Sequence, residues 1–123
     1  MAEFFITRND GVVELRFNRP ESRNSLTFEM YQALEQLCQN ASSVGDRVIV
    51  ITAEGEKAFA SGTDISNFKQ FKSAQDAIDY EAMIGRVIGS VRACTVPVIA
   101  SLHGIVAGGG AAIAAASDIR VGT

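Results

Sequence analysis

Two short apolar runs limit the folds open to this chain more than any other feature of its sequence. Residues 48–52 and 98–102 are rich in Val, Ile, Leu and Ala and contain no charged residue. Runs of this kind are typical of strands that are covered on both faces of a parallel sheet. Because parallel strands need crossover connections, and helical patterns separate these runs, the sequence predicts an α/β fold with right-handed crossovers.

Strand and helix patterns alternate in the first third of the chain. Residues 13–17 alternate between apolar and charged side chains, which predicts a strand with one solvent-exposed face. Residues 4–6 are its predicted hairpin partner. Thr27 is the predicted N-cap of a helix whose apolar stripe extends to Ala41.

The same alternation continues to the C-terminus. A helix is predicted over residues 74–91, where Gly85 and Gly89 should permit close approach by a neighbour. The glycine run 108–110 should open a third helix, and residues 119–121 begin a further strand. The side chains of the second helix that we expect to face inward are Ile78, Ala82, Ile88 and Val91.

Composition excludes several classes of function. The 123 residues carry a net charge of −3 without a basic block, which argues against a duplex nucleic-acid binder and against an anionic membrane surface as partner. One histidine and two cysteines, Cys38 and Cys94, are too few for a structural zinc site, and both thiols are expected to be reduced and buried in a cytosolic protein. Residues 93–117 carry no charge, but their many Ala and Gly residues favour a protein core over a membrane span.

Two loops are the candidate functional segments. Residues 57–65 and 103–110 each follow one of the buried strands, at the strand ends where open α/β sheets bind ligands. The second loop does not fit a phosphate-binding loop, because Gly110 and Ala111 stand where Lys and Ser or Thr are needed. Free N–H groups of the Gly62-Thr63 bend and of Gly109 could instead bind an oxygen that gains negative charge.

Three segments together resemble the crotonase superfamily, also called the enoyl-CoA hydratase/isomerase family. They are Asn18-Arg19-Pro20 with Asn24-Ser25-Leu26, the run from Ala58 to Ile65, and the run from Val98 to Asp118 with its HGxxxGGG core. The resemblance implies a crotonase-like spiral of ββα units that is incomplete at the C-terminus. Since family members are about twice as long, residues 1–123 are expected to form the N-terminal part of a single crotonase-like domain.

The resemblance also implies the chemistry. The family binds acyl-CoA thioesters without a metal or further cofactor and stabilises an enolate through two backbone amides, which correspond here to Thr63 and Gly109. It implies a cytoplasmic enzyme of fatty acid metabolism that forms a homotrimer or hexamer at full length. The bases on or near the two N-terminal loops could bind the CoA phosphates, although solvated surface charge is the competing interpretation of each; they are Arg19, Arg23, Lys57, Lys69 and Lys72. Arg23 and Lys57 are the preferred pair. The other residues expected in the CoA cleft are Ser25, Ala60, Gly62, Asp64, Ile65 and Gly108.

One position departs from the family pattern. Two-acid hydratases carry a glutamate two residues after the glycine triplet, where this chain has Ala112. Hydration by two glutamates is therefore not expected, and any general acid or base is expected beyond residue 123. An isomerase-like enzyme and a catalytically silent acyl-CoA-binding or assembly homologue both stay open, while a nucleotide-binding module rests on the glycine run alone. His103 could be a base and Asp64 could be catalytic, but structural roles are preferred for both: orienting a turn for His103, and bracing the loop or capping the next helix for Asp64. Asp118 is expected to bracket a helix end or a strand start.

Overall fold

In the computed structural model of the protein, which describes residues 2–64, 66 and 71–122, strands and helices alternate as the sequence predicts. In chain order the elements are β1 (Phe4–Asn9), β2 (Val12–Phe17), a 3-10 helix (Pro20–Ser22), α1 (Phe28–Asn40), β3 (Val48–Ala53), β4 (Ala58–Ala60), α2 (Ala74–Arg92), β5 (Val98–Leu102), β6 (Ile105–Val106), α3 (Gly109–Ala116) and β7 (Ile119–Gly122).

Five of these strands form one sheet in the order β1-β2-β3-β5-β7. The predicted hairpin is confirmed, since β1 and β2 pair antiparallel around a two-residue turn, Asp10-Gly11, in which both residues have positive φ. The remaining pairs are parallel, and they align Val13 with Ile49 and Ile49 with Val98. These three aligned side chains are fully buried, so the two apolar runs form the centre of the sheet.

Helix α1 follows the sequence closely. The Thr27 hydroxyl accepts a hydrogen bond from the Met30 N–H at 3.3 Å, which confirms the predicted N-cap. The predicted stripe is buried against the sheet and α2, and its members are Tyr31, Leu34, Leu37, Cys38 and Ala41.

The predicted inner face of α2 is confirmed for Val91, which is buried, and wrong for Ile78 and Ala82. The Ile78 side chain is 57% exposed, and the buried residues of this helix are Tyr80, Val87 and Val91. At about 3.6 residues per turn, Ile78 and Val91 point roughly 140° apart, so one flat neighbour cannot cover both. Ala82 is exposed and Ile88 half-buried. A Cβ at Gly85 or Gly89 would have no atom within 4 Å, so these two glycines do not mediate close packing.

The charge-free window from residue 93 to residue 117 divides into β5, β6 and α3. Within the described ranges, no helix has the length and apolar character needed to cross a bilayer. The two cysteines are unpaired, with Cys38 buried and Cys94 half-buried, so the prediction of burial is confirmed for Cys38 only. Burial raises the pKa of the Cys38 thiol well above its usual range.

Candidate active site

The two predicted loops lie side by side because a second, two-stranded sheet joins them. β4 and β6 pair parallel, with Ala58 opposite Ile105 and Ala60 opposite Val106. The Ile105 N–H donates to the Lys57 carbonyl at 2.9 Å, and the Ala107 N–H donates to the Ala60 carbonyl at 3.0 Å. Hydrogen bonds between their backbones therefore hold the loop before Thr63 against the loop before Gly109.

Glycines allow these loops to approach so closely. Gly104 has φ +60°, and a Cβ there would lie 2.2 Å from the Lys57 carbonyl oxygen. A Cβ at Gly110 would lie 2.5 Å from the Cβ of Ala60 and 2.8 Å from its carbonyl oxygen. Real Cβ atoms do not approach neighbouring atoms to such distances, so both positions require glycine. These two glycines thus permit close packing between the loops.

Helix α1 contributes Tyr31, a member of its buried apolar stripe. The Oη of Tyr31 and the Oγ1 of Thr63 are hydrogen-bonded at 2.8 Å. A Cβ at Gly109 would lie 1.9 Å from this Oη and 3.4 Å from the Thr63 Oγ1. Tyr31 is fully buried, and burial raises the pKa of its phenol, which therefore stays protonated. A tyrosine in a predicted buried stripe is the sequence signal for such a contact, because a buried phenol usually has a hydrogen-bond partner.

Leu26, which lies just before the N-cap of α1, holds the backbone on both sides of Thr63. The Leu26 N–H donates to the Gly62 carbonyl at 2.7 Å, and the Asp64 N–H donates to the Leu26 carbonyl at 2.9 Å. These two bonds use the residues on either side of Thr63 and leave its own N–H unused. Gly109 is the first residue of α3, where an N–H has no acceptor within the helix. Among the described residues, neither of these two N–H groups donates a hydrogen bond.

Arg19 connects two residues that were predicted to line the CoA cleft. Its Nη1 donates to the carbonyl and the hydroxyl oxygen of Ser25, both at 2.7 Å, and its Nη2 lies 3.1 Å from the Asp64 carboxylate. The other carboxylate oxygen of Asp64 accepts the Ser66 N–H at 2.9 Å. That bond, more than the charge of Arg19, holds the pKa of Asp64 below its usual value. The predicted loop-bracing role of Asp64 is confirmed.

Arg23 and Lys57, the preferred pair of bases, are both exposed and open onto one cavity of about 290 Å³. The carboxylate residues Glu54 and Glu56 line the same cavity, so its charge is mixed. The Arg23 carbonyl accepts the Ser61 N–H at 3.1 Å, which attaches this corner to the Thr63 loop.

Asn24 lines the same cavity and joins the backbone segments around it. It is 1% exposed and has a positive φ of 55°, a conformation that Asn tolerates better than most residues. Its amide donates to the carbonyls of Glu54 at 2.9 Å and Ala58 at 2.8 Å, and its side-chain oxygen accepts the Arg19 N–H at 2.8 Å. The sequence motif contained Asn24, but nothing in the pattern identified these partners.

The remaining predicted positions have simpler surroundings. The Asp118 carboxylate accepts the Val98 N–H at 2.8 Å, which confirms its bracketing role. The Nε2 of His103 is buried and has no hydrogen-bond partner within the described part of the chain, so its orienting role stays a prediction. Ala112 lies on α3, a helix without any carboxylate. Ile65 lies outside the described residues. Those residues contain no group of three or more His, Cys, Asp or Glu that could hold a metal ion.

Gly62 and Gly108 face each other across the two loops. Both have positive φ, 141° and 54°, and a Cβ at Gly108 would lie 3.2 Å from the Gly62 Cα. Together with the Ala60–Gly110 contact, this brings three of the predicted positions, Ala60, Gly62 and Gly108, to one place beside Thr63 and Gly109, whose N–H groups are unused. Ser25 and Asp64 are joined through Arg19, and Arg23 and Lys57 line the neighbouring cavity.

Comparison with known proteins gives consistent results. The family model described as "Enoyl-CoA hydratase/isomerase" matches residues 7–123. A crotonyl-CoA hydratase of Syntrophomonas wolfei is 30% identical over 120 residues, which cover 94% of this chain and 45% of that protein. The chain thus spans about half the length of the curated relatives it matches.

Solved structures agree in fold. An enoyl-CoA hydratase/carnitine racemase from Magnetospirillum magneticum superposes with a TM-score of 0.86 at 31% identity, over 99% of this chain and 46% of that one. An enoyl-CoA hydratase from Mycobacterium smegmatis gives 0.89 at 30% identity, over 99% and 48% of the two chains. The predicted fold class is confirmed, and this chain covers slightly less than half of each of those structures.

Proposed function

Because the chain belongs to the enoyl-CoA hydratase/isomerase family, we propose that the full-length protein binds an acyl-CoA thioester and stabilises its enolate through the N–H groups of Thr63 and Gly109. The observation that supports this most is the meeting of two rigidly paired loops at which both N–H groups lack an acceptor within the described residues. A thioester oxygen is an acceptor of the size and polarity that two such donors accommodate.

Stabilisation of the enolate depends on where negative charge develops during the reaction. Removal of a proton next to the thioester moves negative charge onto its oxygen, so donors fixed in advance stabilise the enolate more than the neutral substrate. Losing one such donor typically costs about 3 kcal/mol of barrier, or two orders of magnitude in rate. The inter-loop hydrogen bonds of 2.9 and 3.0 Å support the requirement that these donors be fixed before substrate arrives.

For the CoA portion we propose that Arg23 and Lys57 bind phosphate oxygens at the rim of their shared cavity. The carboxylates that also line this cavity weaken its attraction for anions, so we expect each base to contribute modestly and in a salt-dependent manner. Ala60, Gly62 and Gly108 would provide close-packed backbone, while Ser25 and Asp64 would act through Arg19. Ile65 completes the proposed set.

Ala112 limits the reactions that can be proposed for the protein. Since α3 has no carboxylate, we do not propose hydration by two glutamates, and an isomerase-like proton transfer by a single acid or base outside α3 fits better. The same alanine supports a second candidate, a catalytically silent homologue that binds acyl-CoA or serves assembly. Turnover of any acyl-CoA by the purified full-length protein would eliminate that second candidate.

The decisive experiment compares Thr63→Pro with Thr63→Ala in the full-length protein. Proline removes the N–H, whereas alanine keeps it and shortens only the side chain. We expect Thr63→Pro to lower turnover about a hundredfold or more relative to Thr63→Ala. Isothermal titration with butyryl-CoA and thermal unfolding of both variants would separate loss of chemistry from loss of fold. Equal turnover and binding in the two variants would refute the donor assignment.

Cofactor use, oligomeric state and cellular location are the remaining parts of the proposal. We propose that no cofactor besides the CoA thioester is needed, that the full-length protein forms a homotrimer or hexamer, and that it acts in cytoplasmic fatty acid metabolism. Light scattering coupled to size-exclusion chromatography would measure the subunit number, and cell fractionation would test the location. A monomeric mass, or recovery in an organelle fraction, would contradict the corresponding part.

A further inference from the structure

The hydroxyl of Tyr31 contacts both loops of the candidate site, although Tyr31 belongs to neither. It is hydrogen-bonded to the Thr63 side chain at 2.8 Å, and it occupies the space that a Cβ on Gly109 would need. The ring is fully buried in the apolar stripe of α1, where phenylalanine would fill the same volume. The hydroxyl is therefore the part of Tyr31 that the core packing does not explain, since a buried polar group costs stability unless it is bonded.

The helix that carries this hydroxyl is itself fixed to the site. Leu26, just before the N-cap Thr27, makes the two backbone hydrogen bonds that flank Thr63. Thr63 is thus held twice, by Leu26 through the backbone and by Tyr31 through the side chain. Gly109, on the opposite loop, rests against the Tyr31 oxygen.

This arrangement restrains Thr63 from moving away from α1 and Gly109 from moving toward it. If Thr63 moved away from α1, its hydrogen bond to Tyr31 would break. If Gly109 moved toward α1, its backbone would collide with the Tyr31 oxygen, because even a single added carbon would lie 1.9 Å from it. A buried side chain in a close-packed interior therefore determines where Thr63 lies relative to α1 and how closely Gly109 can approach.

We propose that Tyr31 is a positioning residue that sets the spacing of the Thr63 and Gly109 N–H groups for an enolate oxygen, an inference that rests on the proposed function. Tyr31 does not touch the substrate in this proposal. It acts through the side chain of Thr63, so that side chain has a role even though the donor is a backbone N–H. Small errors in the placement of catalytic donors reduce rates far more than they reduce substrate binding.

The test uses Tyr31→Phe, Thr63→Val and the double variant in the full-length protein. The probe is acetoacetyl-CoA, a β-ketothioester whose enolate absorbs in the near ultraviolet, and butyryl-CoA reports binding of a thioester that stays neutral. We expect Tyr31→Phe to reduce the bound enolate fraction, and kcat where turnover is present, about tenfold. Affinity for butyryl-CoA should change less than about twofold, because neutral-substrate binding depends little on this spacing. The double variant should be no worse than the poorer single variant, since both remove the same hydrogen bond.

Val87→Ala is the matched control. Val87 is a fully buried residue of α2 outside both loops, so this variant loses stability without losing the Tyr31–Thr63 bond. If Tyr31→Phe lowered thermal stability but left the enolate fraction at the level of Val87→Ala, the positioning role would be refuted and Tyr31 would be a core residue only.

The same data distinguish failure of this inference from failure of the proposed function. If the unmodified protein held no enolate of acetoacetyl-CoA, or if Thr63→Pro matched Thr63→Ala, the proposed function would fail and this inference with it. If Thr63→Pro abolished enolate binding while Tyr31→Phe did not reduce it, only the positioning role would be overturned.

Discussion

Replacing Gly109 by alanine tests the contact between the two loops and α1 most directly. The new Cβ would lie 1.9 Å from the Tyr31 oxygen, where an ordinary contact is about 3.4 Å, so roughly 1.5 Å of movement is required. Tyr31 is fully buried and cannot move into solvent. The strain must therefore be taken up by the ring or by the start of α3, at the expense of the hydrogen bond to Thr63.

The cost can be estimated from its components. Forced overpacking of a core costs about 1–3 kcal/mol, and the disrupted hydrogen bond adds about 1 kcal/mol. Alanine recovers at most about 1 kcal/mol over glycine in a helix, and less at its first residue. We therefore expect Gly109→Ala to lower the free energy of unfolding by more than about 1 and up to about 4 kcal/mol.

A suppressor makes this prediction specific. In the Tyr31→Phe background the offending oxygen is gone and the next atom, the ring Cζ, lies 3.1 Å from the new Cβ, which needs adjustment by only a few tenths of an ångström. Gly109→Ala should then cost less than about 1 kcal/mol, so the two substitutions should be clearly non-additive.

The assay is urea unfolding of the full-length protein and its three variants, followed by far-ultraviolet circular dichroism. Gly85→Ala is the control, because Gly85 is exposed on α2 with no atom within 4 Å of an added Cβ, and it should gain about 0.5–1 kcal/mol. Strict additivity of Gly109→Ala and Tyr31→Phe would refute the reasoning, since the Tyr31 oxygen would then not be the obstacle.

Three further predictions concern the loops. Gly104→Ala should cost at least about 3 kcal/mol in urea unfolding, because its Cβ would lie 2.2 Å from the backbone oxygen of Lys57, which cannot yield as a side chain can; a loss under 1 kcal/mol would contradict this. Asn24→Ala should cost about 3 kcal/mol by the same assay, because it leaves two carbonyls without their donors, and Asn24→Asp should rescue little. The folded-state pKa of Asp64 is lowered, so its contribution to stability is present above the unfolded pKa near 4 and is lost as pH falls through the folded value; Asp64→Asn should flatten the acid limb of the stability–pH curve, and an unchanged limb would count against this.

The parts of the fold that depend on local pattern could be predicted from the sequence. The two apolar runs, the Thr27 cap and the stripe of α1 all followed from residue type and spacing. The inner face of α2 could not be predicted in this way, because apolar residues occur on more than one side of that helix and only its neighbours decide which side is covered. Ile78 is exposed for that reason.

Some parts of the candidate site could likewise be predicted from the sequence, and others could not. The rule that parallel strands gather their following loops at one edge brought residues 57–65 and 103–110 together in advance. The contacts of Tyr31 and Asn24 link residues about 30 positions apart in sequence, so no local pattern contains them. Recognising that a buried phenol and a buried amide each need partners would have marked both residues without identifying those partners.

The last strand of the large sheet has a practical consequence for handling the polypeptide. β7 pairs only with β5 in the described structure, and Ile119 and Val121 are about half exposed along it. Its one charged residue, Arg120, donates to the carbonyls of Ala114 and Ser117 at the end of α3. Its charge therefore does not oppose pairing of another strand with the free side of β7. An open, apolar edge is a template for strand addition by another molecule. Preparations of these 123 residues alone should therefore self-associate and precipitate as their concentration rises, and adding lysines along that edge should keep them dispersed.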